Sequence, residues 1–466
     1  MTTNLWRYRL AGAAGGLMLA AGNLVGPLCL VQLGALVPLL VLFARDKKIA
    51  PAVLAGFYMG LTFALPQMIY LCMPLPVTVI LLVEFIVLLV MLMMLACWAM
   101  RGGTVLGCFA FGAAWFLLDW LNYTAIPIWG MAQSLARSWT TFPFLIGFIS
   151  ITGISGVVFV VGTVQALIAH SIAAPARRKV FLSALAAMLL LITILNSLAF
   201  FEKPSGEMRI AAAGWIFDDR SKTDDPHSED GFREVFADPA ARAAADGARI
   251  FTTGEMGFYI ADHNRAEWFD RFAAIARDNH LALVVGYFNI TADENRMFFM
   301  NSQGNVVAEY TKSHLTPLEP GKKGTGDLKT MEVDGIPIGG MICQDDNFSA
   351  LTRRYGRNKT PLIFCPTADW WTIKNAHMQA VRARAIECRY AIARGAANGI
   401  SAIIDPSGRI LAKRDHYADG AGYVIADVPL VDNVTPFARF GHIPMVIVSA
   451  ALLFMYVVRA PTKQSE

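Results

Sequence analysis

Charge is what this 466-residue sequence has least of. Only 16% of its residues are charged, against about 25% in an ordinary soluble protein. The shortage is confined to one part of the chain. Between Met1 and Phe200 the only charged residues are Arg7, Arg9, Arg45, Asp46, Lys47, Lys48, Glu84, Arg101, Asp119, Arg137, Arg177, Arg178 and Lys179. From Glu202 onward charge returns at ordinary density. A purely soluble protein is thereby excluded, and a membrane part precedes a soluble one. Metal-binding patterns are missing too: there is no CxxC and no HExxH, so no metal site is expected. The basic residues form no stripe and the net charge is only +4, so nucleic acid is not an expected partner.

What is present in abundance is long apolar sequence. A bilayer core of about 30 Å takes about 20 apolar residues per helix. Spans are expected near Leu10–Leu24, Pro27–Ala44, Ala50–Leu71, Val77–Met100, Thr104–Leu121, Phe144–His170, Val180–Phe200 and Ile443–Val458. The first is short and reads as a helix or half-helix of the bundle. If the spans alternate, the Lys and Arg of the short loops fall on one side: Arg7 and Arg9, then Arg45 to Lys48, Arg101, Arg177 to Lys179, and Arg459 with Lys463. Positive loops mark the cytoplasmic side, which puts the large polar segment on the other side. Arg137 is the exception to this pattern. Glu84 and Asp119 are costly in a span and carry a functional hypothesis by default, with no role assigned from sequence.

The polar segment alternates strand and helix patterns. Strands are expected at Arg209–Phe217, Ala248–Thr253, Leu281–Ile290 and Pro361–Cys365. Helices are expected at Glu229–Asp246, Arg265–Asp278 and Lys374–Cys388. Hairpins are expected at Arg296–Tyr310, Met331–Cys343 and Ser401–Lys413. That order implies an α/β fold with mixed sheets layered by helices. The expected divisions are a bundle over 1–200, a polar domain over 201–436, and a final helix with its tail over 437–466.

Cys343 follows the apolar run IPIGGMI and precedes QDDN, so it could be a structural thiol, a metal ligand or a nucleophile. Glu255 follows ARIFTTG and Lys312 follows VVAEYT in the same manner. Strand ends of layered α/β folds are where such groups converge. A thiol needs a base to become a thiolate, and an ammonium stabilises both the thiolate and the oxyanion that follows attack. In an oxidising compartment Cys365 and Cys388 could pair.

Four stretches carry a family resemblance: GEMGF at Gly254–Phe258, YTKSHLTPLE at Tyr310–Glu319, MICQDD at Met341–Asp346, and RARAIECRYAIARGAANGISAIIDPSGRI at Arg382–Ile410. Together they resemble the nitrilase, or carbon–nitrogen hydrolase, superfamily. Its placement between an apolar bundle and one last span resembles the bacterial apolipoprotein N-acyltransferases. WFLLDWLN at Trp115–Asn122, IPIWGMAQS at Ile126–Ser134 and TPFARFGHIP at Thr435–Pro444 are similar to that family's segments. The resemblance implies a bundle of about eight spans joined to an αββα sandwich. It implies Cys343 as nucleophile, Glu255 as general base and Lys312 as stabiliser of the thiolate and oxyanion. Glu319 and Asp345 would support them, and no cofactor is required. The implied reaction moves an acyl chain from a phospholipid to the terminal amine of a diacylated lipoprotein, at the periplasmic face of the inner membrane. With water as acceptor, the same triad would make a membrane-tethered amidase. TGE before Glu255, CQD after the nucleophile, TADWW at Thr367–Trp371 and AGWIF at the first strand's end depart from the family pattern. They alter the shell that shapes the pocket, and bear on the acceptor more than on the chemistry.

Overall fold

A computed structural model describes residues 4–46, 48–200, 204–216 and 228–459. The chain forms two compact units, one of Met1–Ala199 with Phe440–Glu466 and one of Phe200–Arg439.

The first unit is a helical bundle. Among the described residues six helical segments are long and apolar enough to cross a membrane: Gly26–Asp46, Ile49–Tyr70, Leu75–Met100, Val105–Ala125, Ser155–Ala173 and Pro175–Ser197. Two more apolar helices, Leu5–Leu24 and the 17-residue Ile443–Arg459, complete it. The span expected at Phe144–His170 is shorter than its apolar run. Only Ser155–Ala173 is a continuous helix. Before it the chain passes through short 3₁₀ turns and a four-residue helix that ends at Gly153, where φ is 73°.

This irregular connection, residues 126–154, is largely buried, with Ile126 and Phe144 exposed. Backbone without helix is tolerated at membrane depth only where protein or water satisfies it. Here side chains do so. Asn23 donates to the Ser134 carbonyl and Gln32 to that of Leu135. Gln133 donates to Glu84 Oε1 at 2.8 Å. Asp119 accepts from the Ser134 and Ser155 hydroxyls, both at 2.8 Å, and from the Leu135 N–H. Glu84 and Asp119 are therefore loop anchors. Arg137 is buried and donates to Asn23 Oδ1 at 2.7 Å, so this departure from the charge pattern is a tertiary contact.

The second unit is an α/β sandwich. Its strands are β1 (Gly206–Gly214), β2 (Ile250–Thr252), β3 (Phe258–Ile260), β4 (Ala282–Asn289), β5 (Glu294–Met300), β6 (Val306–Thr311), β7 (Thr330–Val333), β8 (Ile336–Gly340), β9 (Leu362–Phe364), β10 (Thr367–Ala368), β11 (Ala391–Arg394), β12 (Ala396–Ala397), β13 (Ile400–Ile404), β14 (Ile410–Asp415) and β15 (Gly422–Leu430). One sheet runs β15-β1-β2-β4-β5-β6, with β3 also on β4. The other runs β14-β13-β11-β9-β8-β7. In each sheet the middle is parallel and the hairpins are antiparallel. Parallel strands are buried on both faces and read as unbroken apolar runs, as LVVGYF in β4 does.

Three apolar clusters give the layers. Ile210, Ile250, Val284 and Met297 of the first sheet meet Ile338, Leu362, Phe364 and Ile403 of the second. The outer face of the first sheet packs on the helical segments 229–245 and Arg265–Asp278 through Phe232, Phe236, Trp268 and Phe272. The outer face of the second packs on Ser349–Arg357 and Lys374–Cys388. This is the αββα order. The expected helix over Glu229–Asp246 is interrupted by a π turn at Arg233–Ala237, ahead of Pro239. The first strand ends at Gly214, and Phe217 of its expected range lies outside the described residues. All seven cysteines are free thiols, so Cys365 and Cys388 are unpaired.

Candidate active site

Glu255 follows β2, Lys312 follows β6 and Cys343 follows β8. Backbone hydrogen bonds fix all three positions. The Glu255 N–H donates to the Thr367 carbonyl at 3.1 Å, that of Lys312 to Asn295 at 2.8 Å, and that of Cys343 to Pro366 at 2.9 Å. Strands of both sheets thus converge on one buried spot, where Glu255, Lys312 and Cys343 are each under 5% exposed.

Lys312 Nζ sits 2.7 Å from Glu255 Oε1, and 2.8 and 2.7 Å from the two oxygens of Glu319. Asn295 Nδ2 bridges the same two carboxylates, at 2.7 Å to Glu255 and 3.1 Å to Glu319. Glu319 also accepts from the Thr316 N–H and hydroxyl. The remaining Glu255 oxygen accepts the Ala368 N–H at 2.8 Å. Burial works against the Lys312 ammonium, but Glu255, Cys343 and Glu319 outweigh it, and the group is held above the ordinary lysine range. Three carboxylate oxygens around Nζ favour the ammonium form of Lys312.

Cys343 opens a 3₁₀ turn with φ at +48°, a strained conformation for a residue other than glycine. Its thiol faces the Ala368 carbonyl oxygen at 3.6 Å. Burial and the Glu255 charge raise the thiol well above its usual value, against the lowering effect of Lys312. The resting group is therefore a thiol. Ala368 serves both partners, since its N–H holds Glu255 and its carbonyl faces the sulfur.

Asp345 ties the turn down. Its Oδ1 accepts from the N–H and hydroxyl of Ser313 and from the N–H and Nδ1 of His314. Its Oδ2 accepts from the Tyr310 hydroxyl at 2.8 Å and the Ile342 N–H at 3.2 Å. One carboxylate thereby joins the segment carrying Lys312 to the turn carrying Cys343. His314, stacked on Phe348 at 3.9 Å, is part of this knot.

Sequence reasoning missed Asn295, Asp346, Arg394 and the two-sided role of Ala368. An uncharged polar residue on an otherwise buried strand was the one available signal for Asn295. Among the described residues no group of acidic, histidine or cysteine side chains could hold a metal.

The family profile described as carbon–nitrogen hydrolase matches residues 222–434, and that of the apolipoprotein N-acyltransferase N-terminal domain matches residues 14–167. The chain is 31% identical over 187 residues to apolipoprotein N-acyltransferase of Rickettsia bellii (strain RML369-C), covering 35% of this chain and 36% of that one. It is 24% identical over 370 residues to the protein of the same name from Geobacter metallireducens, covering 71% of this chain and 67% of that one. The first alignment therefore spans little more than a third of its relative's length. Among solved structures, an amidase from Nesterenkonia sp. aligns at 22% identity with a TM-score of 0.41, over 50% of this chain and 94% of that one. With both halves of its architecture matched, the chain belongs to the apolipoprotein N-acyltransferase family of the nitrilase, or carbon–nitrogen hydrolase, superfamily.

Proposed function

We propose that this protein transfers an acyl chain from a phospholipid to the terminal amine of a diacylated lipoprotein, through a thioester on Cys343. The observation that carries the reading is the buried Glu255–Lys312–Glu319 cluster beside a strained cysteine, in a chain that also carries an apolar bundle. Glu255 accepts the thiol proton. The sulfur attacks the ester carbonyl, a C–S bond forms, and the oxyanion is met by the Lys312 ammonium. The C–O bond breaks, and the lysophospholipid leaves with the proton that Glu255 held. The lipoprotein amine then attacks the thioester. A C–N bond forms, the C–S bond breaks, and the amine's proton passes by way of Glu255 back to sulfur.

Glu319 and Asn295 would hold Lys312 and Glu255 in place, and Asp345 would hold the nucleophile turn. The bundle suits bilayer-anchored substrates. The positive loops support a place in the bacterial inner membrane with the second unit on the periplasmic side.

The test is intact-mass analysis of the detergent-solubilised protein after incubation with phosphatidylethanolamine. An acyl adduct that hydroxylamine removes, absent from Cys343→Ala, is expected. It should persist in buffer and move to a diacylated lipopeptide when one is added. An adduct that buffer alone hydrolyses would overturn the transferase reading in favour of water as acceptor. Full turnover by Cys343→Ala would overturn both.

A further inference from the structure

Behind the nucleophile lies a second cluster of charge that the reaction above does not use. Asp346, Asp369, His377 and Arg394 are all buried. His377, on the helix Lys374–Cys388, stands between two carboxylates. Its Nδ1 is 2.8 Å from Asp369 Oδ1 and its Nε2 is 3.2 Å from Asp346 Oδ2. Arg394 Nη2, from β11, is 2.7 Å from the other Asp369 oxygen and 3.2 Å from His377 Nδ1. Neither oxygen of Asp346 has a hydrogen-bond partner among the described residues.

A buried carboxylate without hydrogen bonds is costly unless a cation neutralises it. Among the described residues the imidazole is the one ion-pair contact Asp346 makes. His377 Nε2 likewise has no hydrogen-bond partner among the described residues, so its 3.2 Å approach to Asp346 is an ion-pair contact, favourable when the ring carries a proton on each nitrogen. With Arg394 counted, two cations then balance two anions.

The cluster's position gives it a purpose. Asp346 lies in the 3₁₀ turn that begins at Cys343. Asp369 directly follows Ala368, whose N–H holds Glu255 and whose carbonyl faces the thiol. We infer that His377, as an imidazolium clamped between Asp346 and Asp369, is a positioning residue. It locks the nucleophile turn to the strand end that serves Glu255, and it balances carboxylate charge beside the sulfur. Burial disfavours the charged ring, but Asp346 and Asp369 more than offset that and raise His377 to about 9. Asp369 in turn bears directly on Cys343, together with Glu255, Glu319 and the opposing Lys312.

The inference rests on Cys343 being the reactive thiol, and its test needs no acyl substrate. The alkylation rate of Cys343 by iodoacetamide, resolved by peptide mass, is measured at pH 8 in the full-length protein, below the raised titration of the thiol, where the rate follows the thiolate fraction. His377→Gln leaves the carboxylates unbalanced and is expected to lower that rate about tenfold, the equivalent of about one unit in the thiol's titration. The double variant D346N/H377Q removes one anion with the cation and is expected to return close to the wild-type rate. An unchanged rate in His377→Gln, or a double variant as slow as the single, would overturn the inference. Should the single variant fail to fold, the double variant decides alone: folded with a wild-type rate it supports the charge balance, and otherwise it refutes it. A wild type that alkylates at Cys343 but never forms an acyl adduct would sink the transferase reading while leaving this one standing.

Discussion

Replacing Asp345 by Asn tests how the strained turn is held. The carboxylate accepts six hydrogen bonds, four on Oδ1 and two on Oδ2. An asparagine of the same shape keeps one acceptor oxygen. The less costly placement leaves that oxygen at the Oδ1 position and puts the NH₂ where Oδ2 was. The Tyr310 hydroxyl can rotate and accept. The Ile342 N–H cannot, so a buried backbone donor next to Cys343 loses its acceptor. Such a loss costs about 1–3 kcal/mol. The four bonds that remain lose their charge assistance, which is about half their strength. A total near 2–4 kcal/mol follows, and in a unit of this size that lowers the melting midpoint by roughly 4–15 °C. Cys343 at φ +48° depends on its surroundings for its conformation. Turnover is therefore expected to fall about 10- to 100-fold with KM little changed. Differential scanning fluorimetry in detergent and steady-state acyl transfer read the two effects. A variant that melts within about a degree of wild type and keeps its kcat would refute the argument that Asp345 holds the turn.

Two further predictions concern the second unit. His377, raised to about 9 from an unfolded value of about 6.5, contributes stability that is complete below pH 6.5 and lost as pH rises through 9. The contribution is on the order of 3 kcal/mol; the melting midpoint of the wild type should fall between pH 7 and 9.5 and that of His377→Gln should fall less, and parallel declines would refute it. At Gly254 an added Cβ would lie 2.4 Å from the Ala397 nitrogen, so Gly254→Ala must push the strand end apart. The expected cost is about 1–3 kcal/mol, read as a lowered denaturation midpoint with a loss of turnover through the adjacent Glu255; an unchanged midpoint would show that the two strand ends separate freely.

Much of the fold was legible because apolar runs in this chain stop abruptly. Strands β2, β6 and β8 end just before Glu255, Lys312 and Cys343, and period and turn chemistry located them. The helix Lys374–Cys388 was legible to its ends. Residues 144–154 were not, because hydropathy is the same whether an apolar stretch is helical or folded back. What supports the irregular path there is a polar group on another helix: Asn196 donates to the Leu145 carbonyl and accepts the Phe148 N–H. The clamp around His377 was hidden for the same reason. Its four members are spread from Asp346 to Arg394, and the packing of β10 and the helix Lys374–Cys388 against the turn that begins at Cys343 brings them together. Spacing along a chain does not report such convergence.

The anchored connection also sets an order of events for the bundle. Glu84 lies in Leu75–Met100, the most apolar of the six long helices, so that helix can enter a bilayer despite its carboxylate. Until residues 126–154 arrive, however, Glu84, Asp119, Asn23 and Gln32 would stand bare among lipid tails. Helices can insert independently and associate afterwards. Here the docking of one loop satisfies polar groups on four helical segments at once, so a bundle whose helices insert first would complete those contacts in a single step.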